Sequence, residues 1–129
     1  TSTGYGCPDI PFETLEKLEL AVKELQFQPG KFDLPSAALP ELDAIAAEMR
    51  QYPKYKLVIA SHTSRSGDNL KNMTLTQRRA DAIKQYLIGK GVPGSRLLAL
   101  GFGETQPVED SGTAEGNARN ERIELTIRF

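Results

Sequence analysis

Tryptophan is absent from this 129-residue chain, cysteine and histidine occur once each, and neither sign of charge prevails. Each shortage excludes something. One cysteine cannot close an internal disulfide, and one cysteine with one histidine cannot build a zinc site alone. Sixteen Lys and Arg against seventeen Asp and Glu leave a net charge of −1, which argues against a strongly basic nucleic-acid binder. No apolar run approaches the ~20 residues that span a bilayer. No signal-peptide pattern is present, but the chain reads as an excised fragment, so this does not assign a compartment. What is present is 39% hydrophobic and 26% charged residues. That suits one globular domain with a single core, burying roughly two-thirds of its extended surface.

Residues 1–10 are unpatterned, with Cys7 between Gly6 and Pro8, and read as a linker or junction remnant; the domain is expected over 11–129. Apolar groups at Leu15, Leu18 and Val22 predict an amphipathic helix over 11–23. Leu25 and Phe27 then alternate as in a short strand before Pro29 and Gly30 break the chain. A second helix is expected from Ser36 to Tyr52, with Leu39, Leu42, Ile45, Ala46 and Met49 on one face, Pro40 near its start and Pro53 stopping it. Lys56 to His62 reads as a largely buried strand. After a polar loop from Thr63 to Asn72, a third helix is expected to begin near Thr74 or Thr76 and to end at Gly89-Lys90-Gly91. Its core face is Ala80, Ile83 and Leu87. A further strand covers Arg96 to Leu100. In the last strand Ile123, Leu125, Ile127 and Phe129 alternate with Arg122, Glu124, Thr126 and Arg128, so one face packs and the other meets water. Helices alternating with strands predict a two-layer α/β sandwich.

Chemistry is sparse. Arg78 and Arg79 are expected in or near the first turn of the third helix, where the dipole disfavours cations by roughly a few tenths of a kcal/mol each. A helix N-terminus with added guanidinium groups is a ready anion site. The plainer alternative, equally weighted, is that both arginines are solvated or pair with Asp68, Asp81 or Glu121. His62 beside Ser61 and Ser64 invites a hydrolase reading. Strand neighbours point to opposite faces, however, and no GxSxG elbow is present. A structural histidine is the expectation. GFGET at 101–105 lacks dinucleotide-binding spacing. Glu104, Glu109, Asp110 and Glu115 form no calcium-loop pattern. Cys7 has no evident base partner. No nucleophile, base and oxyanion donor can be assembled, so no enzyme and no cofactor is expected.

The run HTSRSGDNLKNMTLTQRRADAIKQYLIGKGVPGSRLLALGFGETQPV, followed by NARNERIELTI, closely resembles the OmpA-like peptidoglycan-binding domain. The likeness covers roughly residues 18–129 and includes LQFQPGKFDLPSAALPELDAIAAEMRQYP. It rests on the spacing of His62-Thr63, Gly67, Asn72, Leu75, Arg79-Ala80, Tyr86-Leu87, Gly91, Gly101, Gly103-Glu104, Pro107, Asn120 and Arg122. The opening GCPD is similar to the junction that follows calcium-binding thrombospondin-type repeats in Bacteroidetes-type outer-membrane proteins.

The resemblance implies a β/α/β/α/β fold with a mixed sheet covered by helices. It also implies non-covalent binding of the diaminopimelate-type peptidoglycan stem peptide, anchoring the outer membrane to the cell wall from its periplasmic face in a Gram-negative envelope. The outer-membrane part would lie in an upstream region absent here, no nucleic acid is involved, and homodimerisation stays open. The implied ligand-binding residues are Thr63, Ser64, Asn72, Leu75, Arg79 and Arg122, with Arg65, Asp68 and Asn120 as accessories. In the family an aspartate after His-Thr meets the ligand's amine, and an arginine fifteen positions later meets its carboxylate. Here the arginine is Arg79, but the aspartate's position holds Ser64. The usual glycine before the histidine is Ser61, and the usual Asn-Arg-Arg reads Asn120-Glu121-Arg122. A serine accepts a hydrogen bond from an ammonium without neutralising it, which weakens binding by roughly tenfold. The alternative expectation is therefore a degenerate member with an altered anionic ligand or a purely structural or assembly role. In the oxidising periplasm that the resemblance implies, Cys7 is expected to pair with a cysteine upstream of this fragment.

Overall fold

The computed structural model describes residues 11–28, 31–63, 69–103 and 122–129. Among the described residues three α-helices lie against a three-stranded sheet, in the order α1 (Phe12–Glu24), α2 (Leu39–Gln51), β1 (Lys56–His62), α3 (Asn69–Gly89), β2 (Leu97–Gly103) and β3 (Arg122–Arg128). The strand order is β2-β1-β3. β1 runs parallel to β2 and antiparallel to β3, pairing Leu57 with Leu97 on one side and Ile127 on the other. The sheet is thus mixed and α/β, as expected. A parallel pair needs a crossover, and α3 supplies it between β1 and β2.

Helix boundaries follow local chemistry. α1 starts after Pro11, whose carbonyl accepts the Thr14 and Leu15 N–H groups. Its buried stripe is Thr14, Leu18 and Ala21, whereas Leu15 is 42% exposed. The expected Leu15–Leu18–Val22 face is therefore rotated by about one residue. Thr14 earns its buried place by donating from Oγ1 to Glu48 Oε2 of α2, and Lys17 Nζ lies 3.2 Å from the other oxygen. The expected 36–52 helix divides into a 3₁₀ turn, Ser36–Ala38, and α2, with Pro40 in the first turn, where a missing N–H costs nothing. Arg96 caps the end of α2, donating from Nη2 to the carbonyls of Met49 (2.7 Å) and Tyr52 (2.8 Å) and from Nε to Tyr55 (2.8 Å).

α3 begins at Asn69, five residues before the earlier of the two expected starts. Leu25 is buried and Phe27 half-buried with exposed glutamines between, but residues 25–28 form no strand. β2 continues past Leu100 through Gly101, Phe102 and Gly103. These glycines let β2 press against α3. A Cβ on Gly101 would sit 2.3 Å from the Gln77 backbone nitrogen, and Gly103 has φ +57°. The Gln77 side chain treats β2 as a strand edge, accepting the Gly101 N–H at 2.9 Å and donating to the Ala99 carbonyl at 3.0 Å. The core gathers Leu42, Ile45, Met49, Leu57, Ile59, Ile83 and Leu87 between sheet and helices. On β3, Ile123 and Ile127 are buried and Leu125 half-buried. Phe129, expected on the same face, is 40% exposed and meets Tyr55 edge-on. Among the described residues, no helix is long and apolar enough to cross a membrane.

Candidate ligand-binding site

β1 ends beside the start of β3, with His62 opposite Arg122, and the segment following α1 closes over that end of the sheet. Between them lies a cavity of about 140 Å³ lined by Leu25, Gln26, Phe27, Ser61, His62, Arg79, Arg122 and Ile123. Here the β1–β2 register also shifts, because Phe102 is an extra residue between the partners of Ser61 and His62.

Arg79 reaches this cavity from α3. It is 4% exposed, donates from Nε to the Lys31 carbonyl at 2.8 Å and from Nη2 to the Gln28 carbonyl at 3.1 Å, and lies over the Phe27 ring at 5.0 Å. It thereby fastens the α1–α2 connection to α3. With α3 starting at Asn69, Arg78 and Arg79 stand in its third turn, beyond the reach of the N-terminal dipole. The expected anion site at a helix N-terminus is thus corrected: the two arginines are carried by the helix body. Consecutive helical positions diverge by about 100°, so Arg79 is buried while Arg78 is exposed over the Phe32 ring at 5.4 Å. Asp81, one of the carboxylates weighed for them, accepts a hydrogen bond from Gln77 Nε2 instead.

Arg122 is half-buried and donates from Nε to Glu124 Oε2 at 3.0 Å; Glu124 Oε1 lies 3.2 Å from His62 Nε2. Burial pushes the His62 pKa below its ordinary value and the Arg122 charge pushes it further, against the pull of Glu124. For Glu124, burial works upward, but the hydrogen bond and charge of Arg122 together with His62 outweigh it and hold the carboxyl below its usual range. A neutral His62 donates from Nε2 to Glu124, which leaves Nδ1 as an acceptor. His62 is buried and stacks on Phe102 at 5.0 Å, as a structural histidine does. Among the described residues neither its Nδ1 nor the Ser61 Oγ has a hydrogen-bond partner, so the two side chains are not bonded to each other. A serine nucleophile needs that bond to its base.

Of the residues expected in the site, Arg79 and Arg122 line one cavity. Thr63 is buried at the adjoining end of β1, its N–H donating to the Gly103 carbonyl at 2.8 Å. Asn72 is half-buried in α3, its carbonyl accepting from Thr76 Oγ1. Leu75 lines a different depression, with Phe32 and Arg78. Ser64, Arg65, Asp68 and Asn120 lie outside the described residues, as does Cys7. Gln26 and Phe27 were not anticipated as lining residues; the alternation at 25–27 was their only signal.

The OmpA family profile matches residues 26–121. The chain belongs to the OmpA family. Outer membrane porin F of Pseudomonas fluorescens is 37% identical over 117 residues, covering 91% of this chain and 35% of that protein. Outer membrane protein A of Bordetella avium is 32% identical over 130 residues, covering 95% and 67%. The chain thus spans about a third of the porin F relatives it matches. The crystal structure of the peptidoglycan-associated lipoprotein from Burkholderia pseudomallei superposes with a TM-score of 0.75 at 23% identity, covering 81% of this chain and 88% of that one. The C-terminal domain of Helicobacter pylori MotB gives 0.71 at 20% identity, covering 81% and 83%. At these identities the structures establish the fold: this OmpA-family domain shares its mixed sheet and helical cover with both.

Proposed function

We propose that this OmpA-family domain grips the peptidoglycan stem peptide without reacting on it, and that within a longer protein it ties the outer membrane to the cell wall from the periplasmic side. The observation that carries the reading is the convergence of Arg79 and Arg122 on one cavity. Two guanidinium groups from separate elements suit a carboxylate, which they bind through paired N–H donors. Diaminopimelate offers such a carboxylate beside an amine. The names of the relatives, outer-membrane proteins and a peptidoglycan-associated lipoprotein, support the same assignment. The residues that line the cavity supply binding and orientation, not a nucleophile with its base.

A second reading has its own observation. Arg79 already donates to two carbonyls and stacks on Phe27, as a purely structural clamp would. On that reading the domain is a spacer or assembly module. Co-sedimentation with purified sacculi, competed by free diaminopimelate, separates the two. Saturable binding abolished by millimolar diaminopimelate, and weakened at least about tenfold in a folded Arg79→Met/Arg122→Gln double variant, supports the grip. Absence of sedimentation with sacculi leaves the structural reading.

A further inference from the structure

Ser61, next to last in β1, is fully buried, yet its Oγ has no hydrogen-bond partner among the described residues. A buried hydroxyl that gives up water and gains no partner destabilises the fold that holds it. Native chains keep such groups chiefly where something other than the fold uses them. The OmpA-like pattern carries glycine at this position, so the hydroxyl is this chain's own.

Strand register fixes which way the side chain turns. Ser61 pairs with Ile123 of β3 and Gly101 of β2, and cross-strand partners share a face. α3 lies over that row, since a Cβ on Gly101 would meet the Gln77 backbone nitrogen at 2.3 Å. Arg79, two positions further along α3, reaches the cavity of about 140 Å³ that Ser61 and Ile123 also line. His62, the next residue of β1, turns to the opposite face, where its Nε2 bonds to Glu124. The Ser61 hydroxyl therefore stands on the Arg79 side of the sheet.

We propose that Ser61 is a third donor to the carboxylate bound between Arg79 and Arg122. The assignment rests on the diaminopimelate reading of that cavity and adds the residue that selects acid over amine. A carboxylate has about four lone-pair sites, so donors from α3, β3 and β1 can share it. An ammonium offers an O–H no acceptor and would meet two cations here, so the acid end of the ligand enters. In the free domain the hydroxyl is unsatisfied; in the complex it is bonded. Its removal thus relieves one state and weakens the other.

The test compares the parent domain with Ser61→Ala. Each is titrated by NMR with diaminopimelate and with pimelate, the same carbon chain without amines, and each is unfolded by heat without ligand. The substitution should weaken both ligands by a similar factor, about five- to tenfold, and should not lower the unfolding midpoint. A loss confined to diaminopimelate, or a parent that does not bind pimelate, places the amine in the cavity and overturns the assignment. A lowered midpoint overturns it as well, because the hydroxyl then has a partner inside the fold. Equal affinities of parent and variant also overturn it and leave the diaminopimelate reading standing, with the hydroxyl serving only a buried water. A parent that does not bind diaminopimelate overturns that reading itself, and the third donor with it.

Discussion

Replacing Arg79 should damage stability and binding separately, and the two losses can be told apart. The guanidinium is buried, donates to the carbonyls of Lys31 and Gln28, and lies over Phe27. Hydrogen bonds from a charged donor contribute about 1.5–3 kcal/mol each, and a partly desolvated cation–π contact about 1. Lys31 and Gln28 are both exposed residues, so water can take over their carbonyls and return roughly half of the hydrogen-bond contribution. Arg79→Ala should therefore cost about 2–4 kcal/mol. Arg79→Met, which keeps an apolar stem on Phe27, should recover about 1 kcal/mol of it. Urea unfolding reads this as a midpoint shift of about 1–2 M, given a typical slope of about 1–3 kcal/mol per molar. Arg122→Ala serves as the contrast. Its bond goes to a half-exposed Glu124, so a loss of under about 1 kcal/mol is expected. Under conditions where each variant is more than nine-tenths folded, sacculus binding by Arg79→Met should still fall about tenfold. An Arg79→Ala protein within about 0.5 kcal/mol of the parent would refute the clamp.

Four further outcomes follow from particular contacts. Gly101→Ala drives a methyl into the Gln77 backbone and should cost about 3 kcal/mol or prevent folding, read by chemical denaturation; a change below 1 kcal/mol would mean β2 and α3 can separate freely. Ser61→Ala deletes a buried hydroxyl that has no partner among the described residues and should stabilise by about 1 kcal/mol, so a clear loss would reveal a bond to that oxygen. His62 is the sole histidine and its folded pKa is depressed below 6.5, so the unfolded chain binds the extra proton: stability should be full above pH 6.5 and decline as pH falls towards the folded value. His62→Gln should flatten that slope, and stability that rises from pH 7 to pH 6 would contradict it. Ser64→Asp should tighten diaminopimelate binding about three- to tenfold while leaving an amine-free dicarboxylate without the gain; weaker binding of both would oppose the stem-peptide reading.

Elements were legible where burial imposes a period. The bounds of β1 and the start of β3 are those read from the sequence, because an apolar run and a strict alternation leave little freedom; only the last expected residue, Phe129, falls outside β3. The start of α3 was not legible. Its first turn carries Asn69, Leu70, Lys71 and Asn72, and Leu70 is 76% exposed, so no apolar stripe announces the helix. That error moved Arg78 and Arg79 to a helix end they do not occupy. The end of β2 was hidden for the opposite reason: Gly101 and Gly103 look like a turn but are there because α3 leaves no room for a side chain. At the site, Arg79 and Arg122 were found through spacing, 43 positions apart in sequence and together on one cavity. What Arg79 holds was not legible, since a hydrogen bond to a carbonyl leaves no trace in residue type.

The bonds from Arg79 to Lys31 and Gln28 span 48 and 51 positions of chain. Closing such loops is entropically costly before other contacts reward it. Because Arg79 on α3 holds the carbonyls of Gln28 and Lys31, the recess beside Phe27 should open only together with α3. In hydrogen exchange, the amides of residues 25–28 should share the protection of α3 rather than that of α1. Any ligand held in that recess would then draw on the cooperativity of the whole fold and stabilise helices it never touches.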